Sequence, residues 1–267
     1  QGTRFRSRGS PVLNLRPEIS DPPEIGQMQR ALLGRLDRLH LKQRFAQPNL
    51  DARIASYELA ARMQMSSTDA LDLSQETAET QALYGIGNAL TDSYGRRCLI
   101  ARRLVERGVR FIQLYINSQI WDNHSALAES LKSACDRTDL PIAGLLYDLK
   151  QRGLLDETLL IWGGEFGRLP IAQLAGNKDE RSSGRDHNKN AACCWFAGGG
   201  VRGGTTYGTT DDLGFAAVEN RVGVPDFHAT ILHLLGLNHE ALSVNQDGLN
   251  EKLTGVKPAR VIQEIIA

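Results

Sequence analysis

The stretch Val109-Arg110-Phe111-Ile112-Gln113-Leu114-Tyr115 decides how the chain is read, because it alternates like a strand between two segments of helical periodicity. Upstream, Tyr94 to Arg107 carries helical spacing and Gly108 supplies a stop. Downstream, Ala126 to Arg152 reads as a long helix ended by Gly153, and Thr158 to Trp162 as a short apolar strand. Strand, helix and strand in that order predict a βαβ unit, and a βαβ unit implies a parallel sheet. Ala191 to Ala197 reads as a third strand, and Pro225 to Leu235 as a helix closing at Gly236. The expected fold class is α/β, a mostly parallel sheet sandwiched by helices.

Toward the amino terminus the pattern differs. Residues 1–23 are polar and rich in Arg, Gly and Pro, which predicts extended chain running into a helix start at Asp21-Pro22-Pro23. From Glu24 to Ala46 the residues Ile25, Met28, Leu32, Leu36 and Leu39 recur at helical spacing, and a second helix is expected from Asp51 to about Met63. Together they predict a helical hairpin, followed by mixed structure from Ser66 to Asn88. Two regions result: residues 1–90 as lead-in and helical excursion, and residues 91–267 as the α/β core.

Composition narrows the function. The 267 residues are 41% hydrophobic, enough for a real core, and 31 basic residues balance 31 acidic ones. No global field draws the chain to nucleic acid or an anionic membrane. The basic run Arg96, Arg97, Arg102, Arg103, Arg107 and Arg110 lacks interleaved aromatics and reads as a solvated or salt-bridged helix face. No apolar run approaches the ~18 residues that span a bilayer. The start at Gln1 shows neither an initiator methionine nor a signal-peptide pattern, as in a processed or truncated chain. Cys98, Cys135, Cys193 and Cys194 form neither a disulfide framework nor a zinc-ribbon spacing, and read as small buried side chains.

In open parallel sheets, reactive side chains gather beyond the carboxyl ends of the strands. Trp121-Asp122-Asn123-His124 follows the first expected strand, Gly163-Gly164-Glu165-Phe166-Gly167-Arg168 follows the second, and Gly184-Arg185-Asp186-His187-Asn188 precedes the third. Asp122, His124, Glu165, Asp186 and His187 are the oxygen and nitrogen donors that zinc, manganese, magnesium or calcium accept. Arg168 and Arg185 could hold an anion. The bland alternatives are an Asp122 that caps the long helix and a Glu165 that pairs with Arg168. Gly198 to Gly203 matches G-x-G-x-x-G, but Thr205 to Asp211 follows in place of a helix, so it reads as a tight loop. Ser182 and Ser183 near His187 lack a nucleophile elbow and suggest no serine hydrolase. His40, His228, His233 and His239 are assigned to packing or helix surface.

The run Arg102-Arg103-Leu104-Val105-Glu106-Arg107-Gly108-Val109-Arg110-Phe111, with Trp121-Asp122-Asn123-His124, Gly153-Leu154-Leu155-Asp156, Gly164-Glu165-Phe166-Gly167-Arg168 and Gly184-Arg185-Asp186-His187, closely resembles the domain of unknown function 1501 family. Ala229 to Gly236 is similar to the same family. The resemblance implies an alkaline phosphatase-like α/β domain of the superfamily that hydrolyses phosphate and sulfate esters at a two-metal site. It also implies the C-terminal part of a longer, incomplete domain, exported by a bacterial twin-arginine signal. On that view Asp122, His124, Glu165 and His187 occupy the ligand places of metal-dependent phosphoglycerate mutases, with Asp186 as a further ligand. The catalytic serine or threonine would belong to a first strand this chain lacks, so no nucleophile is assigned. The expected partner is an anionic small-molecule or polysaccharide ester, with no nucleic acid and no membrane span. Glu165-Phe166 departs from the Asp-His of those relatives. The alternative is therefore a non-catalytic exported binding or scaffold domain with a degenerate metal site.

Overall fold

Pro23 stands at the first position of helix α1 (Pro23–Gln43), where its missing N–H costs nothing and its fixed φ suits the turn. This start, expected from Pro22-Pro23, is seen in a computed structural model that describes residues 4–5, 12, 22–44, 48–174, 176 and 182–267. The extended lead-in expected before it lies almost wholly outside the described residues. The chain divides into two compact units, one of Gln1–Gln81 with Leu99–Arg110, the other of Ala82–Cys98 with Phe111–Ala267.

In the first unit α1 touches α2 (Pro48–Leu71), which runs past the expected end near Met63. A single 3-10 turn, Leu73–Gln75, and the start of α3 (Ala78–Leu83) follow. The unit's centre is ionic. Glu76 takes a 2.6 Å bond from Arg102 and a shorter one from Arg103, whose Nε donates to the Ala70 carbonyl at 2.9 Å. Arg102 and Arg103 are buried. The arginine-rich segment is thus a salt-bridged helix face, with Arg107 paired to Asp69.

Helix α4 (Asp92–Glu106) passes from the second unit into the first and stops where expected, at Gly108 with φ +78°. In the second unit α5 (Leu127–Gln151) buries Ala134, Thr138, Pro141, Leu145, Asp148 and Leu149, a stripe at helical spacing. Tyr84 is fully buried and donates its hydroxyl to Asp148 at 2.9 Å. Gly144 lets α5 approach the Leu83 carbonyl: a Cβ there would come within 2.4 Å of that oxygen. Gly153 ends α5 at φ +70°, and α6 (Val224–Leu234) ends before Gly236 at φ +75°.

The expected parallel sheet is not formed. The strands among the described residues are short and pair two by two, each pair antiparallel. β1 (Leu160–Gly163) pairs with β4 (Cys194–Ala197), and β2 (Gly167–Arg168) with β3 (His187–Asn188). β5 (Thr209–Thr210) pairs with β6 (Ala217–Glu219), and β7 (Ser243–Gln246) with β8 (Leu249–Lys252). The sandwiched, alkaline phosphatase-like architecture is therefore corrected to helices with antiparallel two-stranded ribbons.

The physical reason lies in residues 109–116, which contain no strand. From Phe111 on their burial does alternate: Ile112, Leu114 and Ile116 are half-buried, while Phe111, Gln113 and Tyr115 are exposed. Alternation reports an extended chain with two unlike faces, but the ladder that makes a strand comes from a partner elsewhere in the sequence. With the first strand removed, no βαβ unit remains. The cysteines also depart from expectation, since Cys98 is buried but Cys193 and Cys194 are exposed.

No described helix is long and apolar enough to cross a membrane.

Candidate metal centre

The site is assembled by one central segment, residues 182–188, held between two others. On one side Ala126 and Leu127 donate their N–H groups to the carbonyls of Ser182 and Ser183 at 2.9 and 3.0 Å, and Arg185 donates to Asn123 at 2.9 Å. On the other side Gln173 and Gly184 exchange both backbone hydrogen bonds at 2.9 Å, and Leu169 donates to Asp186 at 2.8 Å. The centre therefore contributes His187, one flank Asp122 and His124, and the other flank Arg168 and Gln173.

Gly184 makes this approach possible. A Cβ at that position would lie 2.0 Å from the His124 carbonyl carbon and 2.4 Å from the Ser125 nitrogen. Those atoms are backbone and cannot swing aside.

Asp122, His124 and His187 converge into a group that could hold a metal ion. His124 Nε2 lies 3.0 Å from Asp122 Oδ1, His187 Nε2 lies 3.2 Å from the same oxygen, and the two Nε2 atoms are 3.1 Å apart. Three donors at ~2.0–2.1 Å from one ion stand about 2.9–3.4 Å from one another, across octahedral to tetrahedral angles. The observed triangle falls in that interval. The side chains of Asp122, His124 and His187 are 30%, 39% and 44% exposed, so solvent reaches the cluster.

The surroundings orient these groups. His124 Nδ1 is 2.8 Å from Gln173 Oε1. Phe166, whose appearance in place of a histidine suggested a degenerate site, packs against the His187 ring, with centroids 4.2 Å apart and planes tilted by 44°. Asp186 accepts the His187 backbone N–H at 2.7 Å and approaches His124 Nδ1 at 3.9 Å. Arg168 Nη1 is 2.7 Å from Asp122 Oδ1. This contact, then the one from His187, holds the Asp122 carboxyl below the usual carboxylate range.

Of the seven residues singled out from sequence, the structure brings four into this cluster: Asp122, His124, His187 and Arg168. Asp186 supports it through His187, while Glu165 is exposed on the turn between β1 and β2 and is not a member of the converging group. Arg185 is turned to the backbone, donating to the carbonyls of Leu169 and Pro170. Neither bland pairing is formed: Ala126 stands at the N-cap position of α5 with no side-chain cap, and the carboxylate beside Arg168 is that of Asp122. Sequence reading missed Gln173, because a lone glutamine carries no motif and its contact spans 49 positions.

No curated protein and no solved structure matches the chain. A family match runs over residues 1–266 and gives no support to a C-terminal piece of an incomplete domain, nor to a place in the alkaline phosphatase superfamily. On that match the chain belongs to the family described as Protein of unknown function (DUF1501).

Proposed function

We propose that the chain is a metal-dependent hydrolase of phosphate or sulfate esters, with Asp122, His124 and His187 as the ligands of one divalent ion. The observation that carries the reading is the triangle of donor atoms 3.0, 3.1 and 3.2 Å on a side. Two imidazoles and a carboxylate suit zinc, manganese or a similar ion, and three protein ligands within reach of solvent are the pattern of catalytic rather than structural sites. Such an ion, when bound, would polarise the ester oxygen as a Lewis acid.

Arg168 is the residue assigned to the anionic group of the substrate. It lies beside Asp122, and a guanidinium offers five donors, more than one carboxylate oxygen engages. Arg185, committed to backbone carbonyls, braces the segment instead. Kinship with phosphate- and sulfate-ester hydrolases is proposed at the level of chemistry, and export from the cell belongs to the same proposal.

The test is metal analysis with a screen of aryl phosphate and sulfate esters in added zinc or manganese. Close to one ion per chain is expected, with turnover that disappears on chelation and in His187→Ala. Stoichiometric metal without turnover would make the chain a metal-binding module; a wild-type chain without metal affinity would end the reading.

A further inference from the structure

Resting on that metal reading, we propose that Gln173 is a positioning residue of the centre: its side-chain carbonyl holds His124 as the Nδ1–H tautomer, so that the Nε2 lone pair is presented to the ion.

Gln173 Oε1 accepts hydrogen bonds and cannot donate, so at 2.8 Å from His124 Nδ1 it requires the hydrogen on Nδ1. A neutral imidazole carries one ring N–H, which leaves Nε2 as a lone pair. That lone pair belongs to the nitrogen 3.0 Å from Asp122 Oδ1 and 3.1 Å from His187 Nε2. The other tautomer would aim an N–H at Asp122, and the resulting bond would occupy the donor pair a metal needs. Outer partners of ligating histidines act in this way, setting tautomer, ring orientation and basicity.

Gln173 is also well anchored. Its N–H and C=O both bond to Gly184, the glycine that lies against the His124 backbone. Segment 182–188 therefore fixes the distance between the two flanks that carry Gln173 and His124. Asp186 is the other acceptor near Nδ1, but it is 3.9 Å away and already accepts the His187 N–H at 2.7 Å. Gln173 thus makes the closer contact.

Gln173→Met keeps the length of the side chain and removes the acceptor, whereas Gln173→Glu keeps an acceptor and adds charge. Two measurements separate the claims. Histidine ¹⁵N–¹H correlation spectra of the chelator-treated chain should show the Nδ1–H tautomer at His124 in wild type and Gln173→Glu, and a shift toward Nε2–H in Gln173→Met. Zinc and cobalt titrations should show affinity about 10–100-fold weaker in Gln173→Met, restored in Gln173→Glu, with unchanged thermal melting. An unaltered tautomer and affinity in Gln173→Met would overturn the role of Gln173 while leaving the metal site standing. If the tautomer follows residue 173 but wild type binds neither ion, the metal reading falls and with it the presentation of His124 to an ion.

Discussion

The Nε2 atoms of His124 and His187, 63 positions apart in the chain, face each other at 3.1 Å beside a single oxygen of Asp122. Three lone pairs at that spacing would repel, so the two imidazole nitrogens and the carboxylate oxygen need a hydrogen on one Nε2 or a metal ion between them. Their arrangement therefore makes separable claims about the three residues and about those nearby.

Removing any one of the three donors should weaken zinc or manganese binding by roughly 100-fold or more, beyond what an outer partner costs. His187→Ala and Asp122→Asn are the informative variants, read by isothermal titration and metal content after dialysis. Glu165→Gln should bind as wild type does, because Glu165 is exposed and outside the converging group. A large loss in Glu165→Gln would restore it as a ligand and require a different arrangement of the turn after β1.

Gly184→Ala should damage the site without touching a donor. The added methyl would sit 2.0–2.4 Å from backbone atoms of His124 and Ser125, so residues 123–125 must move away from residues 182–188. Overpacking of this kind costs about 1–3 kcal/mol. A lower melting temperature together with weakened metal affinity is expected; full affinity at wild-type stability would mean the segments do not lie in contact.

Glu76 should matter for stability through charge. Its side chain is 8% exposed between Arg102 and Arg103, which are 2% and 7% exposed. Breaking a buried pair of this kind costs about 3–5 kcal/mol, because the remaining charges stay buried, so Glu76→Leu should lower the urea midpoint markedly.

The same residue carries an acid dependence. Burial raises the Glu76 carboxyl, but the bonds from Arg102 and Arg103 and their charges outweigh it, leaving the folded pKa below the usual 4.5. A depressed folded pKa contributes stability above the unfolded value, and that contribution is lost as pH falls through the folded one. Urea melts from pH 6 down to about pH 3 should show a steeper acid decline in wild type than in Glu76→Gln. Parallel curves for the two proteins would contradict the assignment.

Tyr84→Phe isolates one buried bond, the 2.9 Å contact to Asp148. A hydrogen bond to a charged acceptor is worth about 1.5–3 kcal/mol, so a loss in that range is expected from denaturant unfolding. A neutral substitution would show that Asp148 is satisfied without it.

Much of the helical framework could be read from residues alone. The stops of α4, α5 and α6 were legible as Gly108, Gly153 and Gly236, since a helix end is decided within one turn by a residue that tolerates positive φ. The strand positions of β1 and β4 were legible too, as short apolar runs bounded by turn residues. Their pairing was not. Val109 to Tyr115 shows why: from Phe111 on its period-two pattern survives as alternating burial, yet no ladder forms there.

By itself, then, the sequence determined which chemistry the chain could carry, by placing carboxylates and imidazoles in three short polar segments, and where most helices begin and end. Only the tertiary structure decided that Asp122, His124 and His187 meet, that Glu165 stands apart, and that Gln173 reaches His124. The difference has a physical origin. Capping and periodicity act over neighbouring residues, whereas a donor triangle about 3 Å on a side depends on backbone bonds between segments dozens of positions apart, closed here around a glycine with no Cβ.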